Sequence, residues 1–248
     1  MTQDRISLLA SDYDGTLSSL EATREESRLP PPLDSVLRAI AGKAKLAVVT
    51  SKSFDFISTR IPYAHAWGCV SGLDIRLKDG SELAASPRVD VLAALKKARS
   101  ILGDSAAYEE KRGAESLLGF AVDWRGRATP AGLDDAIETL VGDGLYVVRD
   151  SANPFVDFFG SRPDKGAALA LIRDALAPSG ATMFLGDSPG DNPAFRVADV
   201  AVGVDHGQPL RSLECDFVVS QGDVASFLNS LYERDMTFAA VLPGVLKK

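Results

Sequence analysis

Short apolar runs alternate with helix-period stripes at both ends of the chain, and that alternation leaves few folds open. The run Ile6-Ser7-Leu8-Leu9-Ala10-Ser11 carries no helical stripe and stops at the turn-forming stretch Asp12-Tyr13-Asp14-Gly15-Thr16-Leu17. Leu33, Val36, Leu37 and Ile40 then recur three and four apart, which is the apolar face of a helix. Leu46-Ala47-Val48-Val49 reads as a second strand, residues 54–60 as a short helix and residues 67–70 as a third strand. After Arg162-Pro163-Asp164 the rhythm returns, with a helix over 165–176, strands over 182–185, 201–204 and 217–219, and a last helix over 223–234. Strands apolar on both sides must be covered on both sides, and helical crossovers between parallel strands supply that cover. The expected class is α/β, a Rossmann-like parallel-sheet core.

The middle of the chain follows a different pattern. Lys78-Asp79-Gly80-Ser81 predicts a hairpin turn, and a helix is expected over 89–102. Residues 107–124 and 145–160 alternate as strands do, and Leu133, Ala136, Ile137 and Leu140 between them form a helical stripe. This is an inserted α+β cap domain at 75–162, leaving 1–74 and 163–248 as the core. Residues 18–32 read as a polar loop, and the apolar tail 238–246 is expected to dock on the core.

Composition narrows the function classes. The chain has 248 residues, enough for one large domain or two modest ones, and 46% are hydrophobic, so it can bury a core. A net charge of −7 argues against a nucleic-acid partner, which would need a basic face. No apolar run approaches the roughly 20 residues of a membrane span. About eight residues precede the first acidic cluster, where a secretory signal takes roughly 15–30. Cys69 and Cys215 stand far apart, so no disulfide framework is expected. The expected location is a reducing cytoplasm and the expected state a monomer or homodimer.

Ligand sites in a parallel sheet lie outside the carboxyl ends of its strands. The first strand ends in Asp12-x-Asp14, and in extended backbone such residues point the same way. Two carboxylates there suit a hard cation such as Mg²⁺, and one of them suits nucleophilic attack. Thr50-Ser51 end the second strand with hydroxyls and backbone N–H groups fit for a phosphate oxygen. Lys165-Gly166 opens a helix, where a cation opposes the helix dipole and invites an anion. A later strand runs into Gly186-Asp187-Ser188-Pro189-Gly190-Asp191-Asn192, a second acidic cluster. Carboxylates, a hydroxyl and a lysine at neighbouring strand ends describe metal-assisted phosphoryl transfer. Zn²⁺ is not expected, because no His or Cys stands near these residues in the sequence. His65 and His206 read as structural or surface residues.

These four motifs, in this order, resemble those of the haloacid dehalogenase superfamily of phosphatases. The resemblance implies that Asp12 is the nucleophile, forming an aspartyl-phosphate, and Asp14 the general acid and then base. It implies that Thr50, Ser51 and Lys165 bind the phosphoryl group. Asp12, Asp14 (through its backbone carbonyl), Asp187 and Asp191 would serve Mg²⁺. Within the cap, Glu109-Glu110-Lys111, Trp124-Arg125 and Asp157 resemble the pattern of trehalose-phosphate phosphatases. That likeness implies a sugar-phosphate substrate, trehalose 6-phosphate first, with Glu109, Lys111, Arg125 and Asp157 as substrate-binding residues. Thr50-Ser51-Lys52 and Gly186-Asp187-Ser188 look more like mannosyl-phosphoglycerate phosphatases. Mannosyl- or glucosyl-3-phosphoglycerate and sucrose phosphate therefore stay open as substrates. So do a phosphomutase and a non-catalytic sugar-phosphate-binding protein.

Overall fold

A computed structural model describes residues 4–20, 26–84, 87–149, 154–207, 212–239 and 245–247. It divides into two compact units, Met1–Glu82 with Asp164–Lys248, and Leu83–Pro163. The expected α/β class holds: the first unit carries a mostly parallel sheet and the second a separate antiparallel one.

The larger sheet is built on β1 (Asp4–Ser11), β2 (Lys45–Val49), β3 (Ala66–Cys69), β4 (Asp74–Leu77) and β5 (Glu82–Ala84), the last of which runs across the boundary of the two units. Its second half adds β10 (Ala181–Gly186), β11 (Val200–Asp205), β12 (Phe217–Ser220), β13 (Thr237–Phe238) and β14 (Val245–Lys247). Among the described residues the sheet runs β14-β12-β11-β10-β1-β2-β3-β4-β5, with β13 alongside β1. The six strands from β12 to β3 pair in parallel, and β4, β13 and β14 add antiparallel margins. β1 is apolar almost throughout because both of its faces are covered; Ile6, Leu8, Leu9 and Ala10 are fully buried. One cover comes from α5 (Lys165–Leu176) and α6 (Asn192–Phe195), whose Ala168, Leu169, Ile172 and Phe195 pack with Leu8, Ala10, Val49 and Phe184. Elsewhere α1 (Pro31–Ala41) packs on α7 (Val224–Glu233), each burying its own apolar stripe.

Strand order reverses at β1. From there β2 and β3 follow to one side, and β10, β11 and β12 to the other. The crevice between the carboxyl ends of β1 and β10 is therefore the switch point, where parallel sheets bind ligands.

The smaller unit packs a sheet ordered β6-β7-β9-β8 against two helices, α3 (Val91–Leu102) and α4 (Leu133–Gly142). Its strands are β6 (Ala107–Arg112), β7 (Leu117–Asp123), β8 (Tyr146–Arg149) and β9 (Phe155–Phe159). Phe120, Val122, Val156 and Phe158 point to the helices, with the Phe120 and Phe158 rings stacked at 5.1 Å.

Two sequence expectations need restating. The first boundary falls at 82–83 rather than 74, because β4 pairs antiparallel with β3 and prolongs the large sheet. The tail's Val245–Lys247 lies antiparallel to β12, while 240–244, including Pro243-Gly244, fall outside the described residues, as do 21–25 of the polar loop.

Candidate active site

β1 delivers Asp12 directly after its last residue, with the Asp12 N–H donating to the Leu185 carbonyl of β10 (2.8 Å). The chain then turns sharply. Gly15 has φ +76°, a conformation that favours glycine, and a Cβ there would collide with the Asp187 carboxylate. Gln221 Nε2 donates to the carbonyls of Gly15 and Ser18 (both 3.0 Å) and fixes this turn.

The turn also separates the two acids of the first motif. Because the strand ends at Ser11, the period-2 rule no longer carries Asp14 to the side of Asp12. The Asp14 carboxylate pairs with Lys52 Nζ at 3.3 Å. Among the described residues the carboxylates that converge are Asp12, Asp187 and Asp191, with ligand oxygens within 4.8 Å of one another. The expected convergence of the Asp14 side chain on this cluster is thus corrected.

Lys165 is buried at the start of α5, 2.9 Å from Asp12 Oδ1 and 2.7 Å from Asp191 Oδ1. Burial works against its ammonium, but the two carboxylates outweigh that and raise its pKa. Asp164 caps the helix, accepting from the N–H groups of Gly166 and Ala167 (2.9 Å each). Glycine at 166 allows α5 to approach Pro193, whose carbonyl a Cβ would strike. Asp191 is fully buried: its second oxygen accepts from the N–H groups of Asp187 and Ser188 and from the Ser188 hydroxyl, at 3.0–3.1 Å. Burial and the neighbouring acids Asp191, Asp187 and Asp14 push Asp12 well above the usual carboxylate range, against the pull of Lys165. Burial and Asp191 push Asp187 up to about 7.

Thr50, at the end of β2, is buried, and its Oγ1 accepts from the Lys52 N–H (3.2 Å). Its carbonyl accepts from the Ser71 N–H (2.8 Å), and the Ser71 carbonyl accepts from Asp164 N–H (3.1 Å). One loop therefore ties Thr50 to the residue before Lys165. Val70 and Ser71 both have positive φ there, strain of the kind that collects at functional sites, and Gly72 continues the turn at a φ that glycine adopts freely. Ser51 follows Thr50 half-buried.

Three buried carboxylates against one ammonium leave an excess of negative charge, and every donor is a hard oxygen. That set fits Mg²⁺. His65 is structural, its Nδ1 accepting from the Leu46 N–H. His206 is not remote: its Nε2 lies 3.1 Å from Asp187 Oδ2. No motif marked it, since the contact depends on how β10 and β11 register.

In the smaller unit Lys111 and Asp157 come together, Nζ to Oδ1 3.3 Å, both more than 90% buried. Within the described residues Asp157 Oδ1 accepts no hydrogen bond. Glu109 shares their face, since Ala121 of β7 stands opposite both Glu109 and Asp157. Arg125 is not brought to this group; it is exposed, paired with Asp123 (2.6 Å) and set 5.7 Å from the Phe155 ring centroid.

The raised Asp187 pKa has a consequence for stability. The neutral acid is favoured in the folded state, so the folded chain holds more protons than the unfolded one between about pH 4 and 7. Stability present below pH 4 is lost as pH rises to 7. In chelator, the melting temperature of Asp187→Asn should fall less than that of the parent between pH 5 and 7.5, and identical slopes would contradict this.

No family model matches the chain. It is 27% identical, over 94% of its length, to an uncharacterized glycosyl hydrolase of Mycobacterium tuberculosis, of which the match covers 19%. It is 26% identical over 217 residues to the trehalose-phosphate phosphatase of that species, covering 80% of this chain and 52% of the other. The chain thus spans about a fifth and about half of these relatives. A crystal structure of a trehalose-6-phosphate phosphatase related protein aligns with TM-score 0.69 at 20% identity, covering 93% of this chain and 97% of that one. A subclass IIB sugar phosphatase of the haloacid dehalogenase superfamily aligns with TM-score 0.67 at 13% identity, covering 93% and 99%. The fold is the core-plus-cap fold of that superfamily's phosphatases. No helix among the described residues is long and apolar enough to cross a membrane.

Proposed function

We propose that the chain is a Mg²⁺-dependent phosphatase of sugar phosphates, acting through an aspartyl-phosphate. The observation that carries this reading is Asp12 at the switch point, held by Lys165 beside Asp187 and Asp191 of the neighbouring strand. Asp12 Oδ attacks phosphorus, the bond to the sugar oxygen breaks, and Asp14 gives that oxygen a proton. Water then attacks the same phosphorus while Asp14 takes its proton, which frees phosphate and Asp12. Lys165, Thr50 and Ser51 hold phosphoryl oxygens. Asp12, Asp187, Asp191 and the Asp14 carbonyl would hold Mg²⁺. Bound Mg²⁺ neutralises charge on the transferring group. Trehalose 6-phosphate is the leading substrate, supported by the trehalose-phosphate phosphatase relatives. Glycosyl-3-phosphoglycerates are the second reading, supported by the Thr50-Ser51-Lys52 motif and the seat of Lys52 on Asp14.

The test is phosphate release from trehalose 6-phosphate, mannosyl- and glucosyl-3-phosphoglycerate, sucrose 6-phosphate and phosphoglycolate, in Mg²⁺ and in excess chelator. Release from one glycosyl phosphate, abolished by chelator, is expected. Full activity in chelator, or no release from any compound, would overturn the reading.

Glu109, Lys111 and Asp157 are proposed to read sugar hydroxyls, Asp157 Oδ1 accepting from one of them beside its ion pair with Lys111. Lys111→Ala should then cost the preferred glycosyl phosphate about 1–3 kcal/mol in kcat/KM. The loss on p-nitrophenyl phosphate, which lacks hydroxyls, should be slight. Equal losses on both would assign Lys111 to the fold.

A further inference from the structure

His206 belongs to none of the four motifs, yet it closes the seat of an acid that does. β10 and β11 run parallel with Gly186 opposite Gly203, so Asp187 and His206 both emerge just past neighbouring strand ends. The Asp205 carboxylate accepts from the Gly207 N–H (2.8 Å), and Gly207 has φ +90°, so His206 sits inside a tight turn directly after β11. That turn keeps the imidazole at the strand ends, with only 12% of its side chain exposed. Asp187 is thereby held on both oxygens: Thr16 Oγ1 donates to Oδ1 and His206 Nε2 lies against Oδ2, each at 3.1 Å, and the tautomer with the proton on Nε2 makes the ring a donor. Gly15 leaves just enough room for the carboxylate between them.

We propose that His206 is a positioning residue for divalent-cation binding, fixing the plane of the Asp187 carboxylate; this rests on the metal-dependent reading above. An ionised carboxylate has about four acceptor sites on its two oxygens. One donor on each oxygen leaves capacity for a cation and removes the rotation that binding would otherwise have to arrest. Carboxylates and histidines around metal sites act this way, and loss of such a partner typically costs about 10–100-fold in metal affinity.

The experiment is calorimetric titration of the full chain with Mg²⁺, and separately with Mn²⁺, for the parent, His206→Ala and His206→Gln. His206→Ala should raise the Kd of both ions about 10–100-fold. His206→Gln, whose amide nitrogen can donate, should recover most of the loss. Melting temperatures of the metal-free variants show whether a variant has lost its fold, and the Gln variant keeps the test open if the Ala variant has. An unchanged or lower Kd for His206→Ala would overturn the proposal, since a ring that merely adds positive charge would oppose the cation. So would equal losses in the Ala and Gln variants. A parent that binds neither ion would instead bring down the metal-dependent reading itself.

Discussion

Asp12→Ala is expected to abolish phosphate release, a loss of at least about 10⁴-fold in kcat. No neighbour can take over the attack. Asp191 spends one oxygen on Lys165 and the other on three donors, and Asp187 is gripped on both sides. Asp14→Ala should fail by a smaller margin, about 10²–10⁴-fold, because it removes proton transfer and leaves the nucleophile in place. The Asp14 carboxylate lies outside the buried acid cluster, on Lys52, so its loss leaves the Asp12–Lys165 pair intact. Steady-state phosphate release on the preferred glycosyl phosphate separates the two variants. Equal and small losses would contradict the division of roles.

Lys165→Met should be the most damaging single change to stability. It strips the ammonium that two buried carboxylates, Asp12 and Asp191, share, and breaking one partner of a buried pair typically costs about 3–5 kcal/mol. For a chain of this size that is roughly 6–20 °C in melting temperature. A methionine of similar length fills the space, so the loss reports charge rather than a cavity. Thermal unfolding of parent and variant in chelator measures it, and a shift under about 2 °C would show that the acids find other compensation.

Most of the site was legible because it sits where strands stop. Asp12 and Asp187 follow apolar runs directly, Asp191 lies four residues further on in the turn after β10, and Lys165 opens a helix straight after the second segment boundary. What stayed hidden depends on register or on the path of a turn. His206 meets Asp187 only because β11 lies beside β10 in one particular alignment. Asp14 pairs with Lys52 because the strand ends at Ser11, whereas an alternation argument needs extended backbone through Asp14. The Lys111–Asp157 pairing needed the order β6-β7-β9, which alternation alone does not supply. The boundary near 74 misplaced β4 and β5 for a related reason: an antiparallel margin on a parallel sheet has the same alternation as a hairpin of the insertion.

The order in which the strands are laid down has a consequence for how the chain is made. β1 needs β10 on one side, and about 170 residues separate the end of one from the start of the other. At roughly 5–20 residues per second, synthesis leaves that apolar edge of β1 without its partner for roughly 10–30 s. The smaller unit, Leu83–Pro163, is contiguous and carries its own apolar core, so it can finish folding in that interval. An uncovered apolar edge is the usual starting point for aggregation. The nascent chain is therefore most in need of a chaperone while its middle is already complete, and Asp12 meets Asp187 and Asp191 only after about three quarters of the chain has emerged.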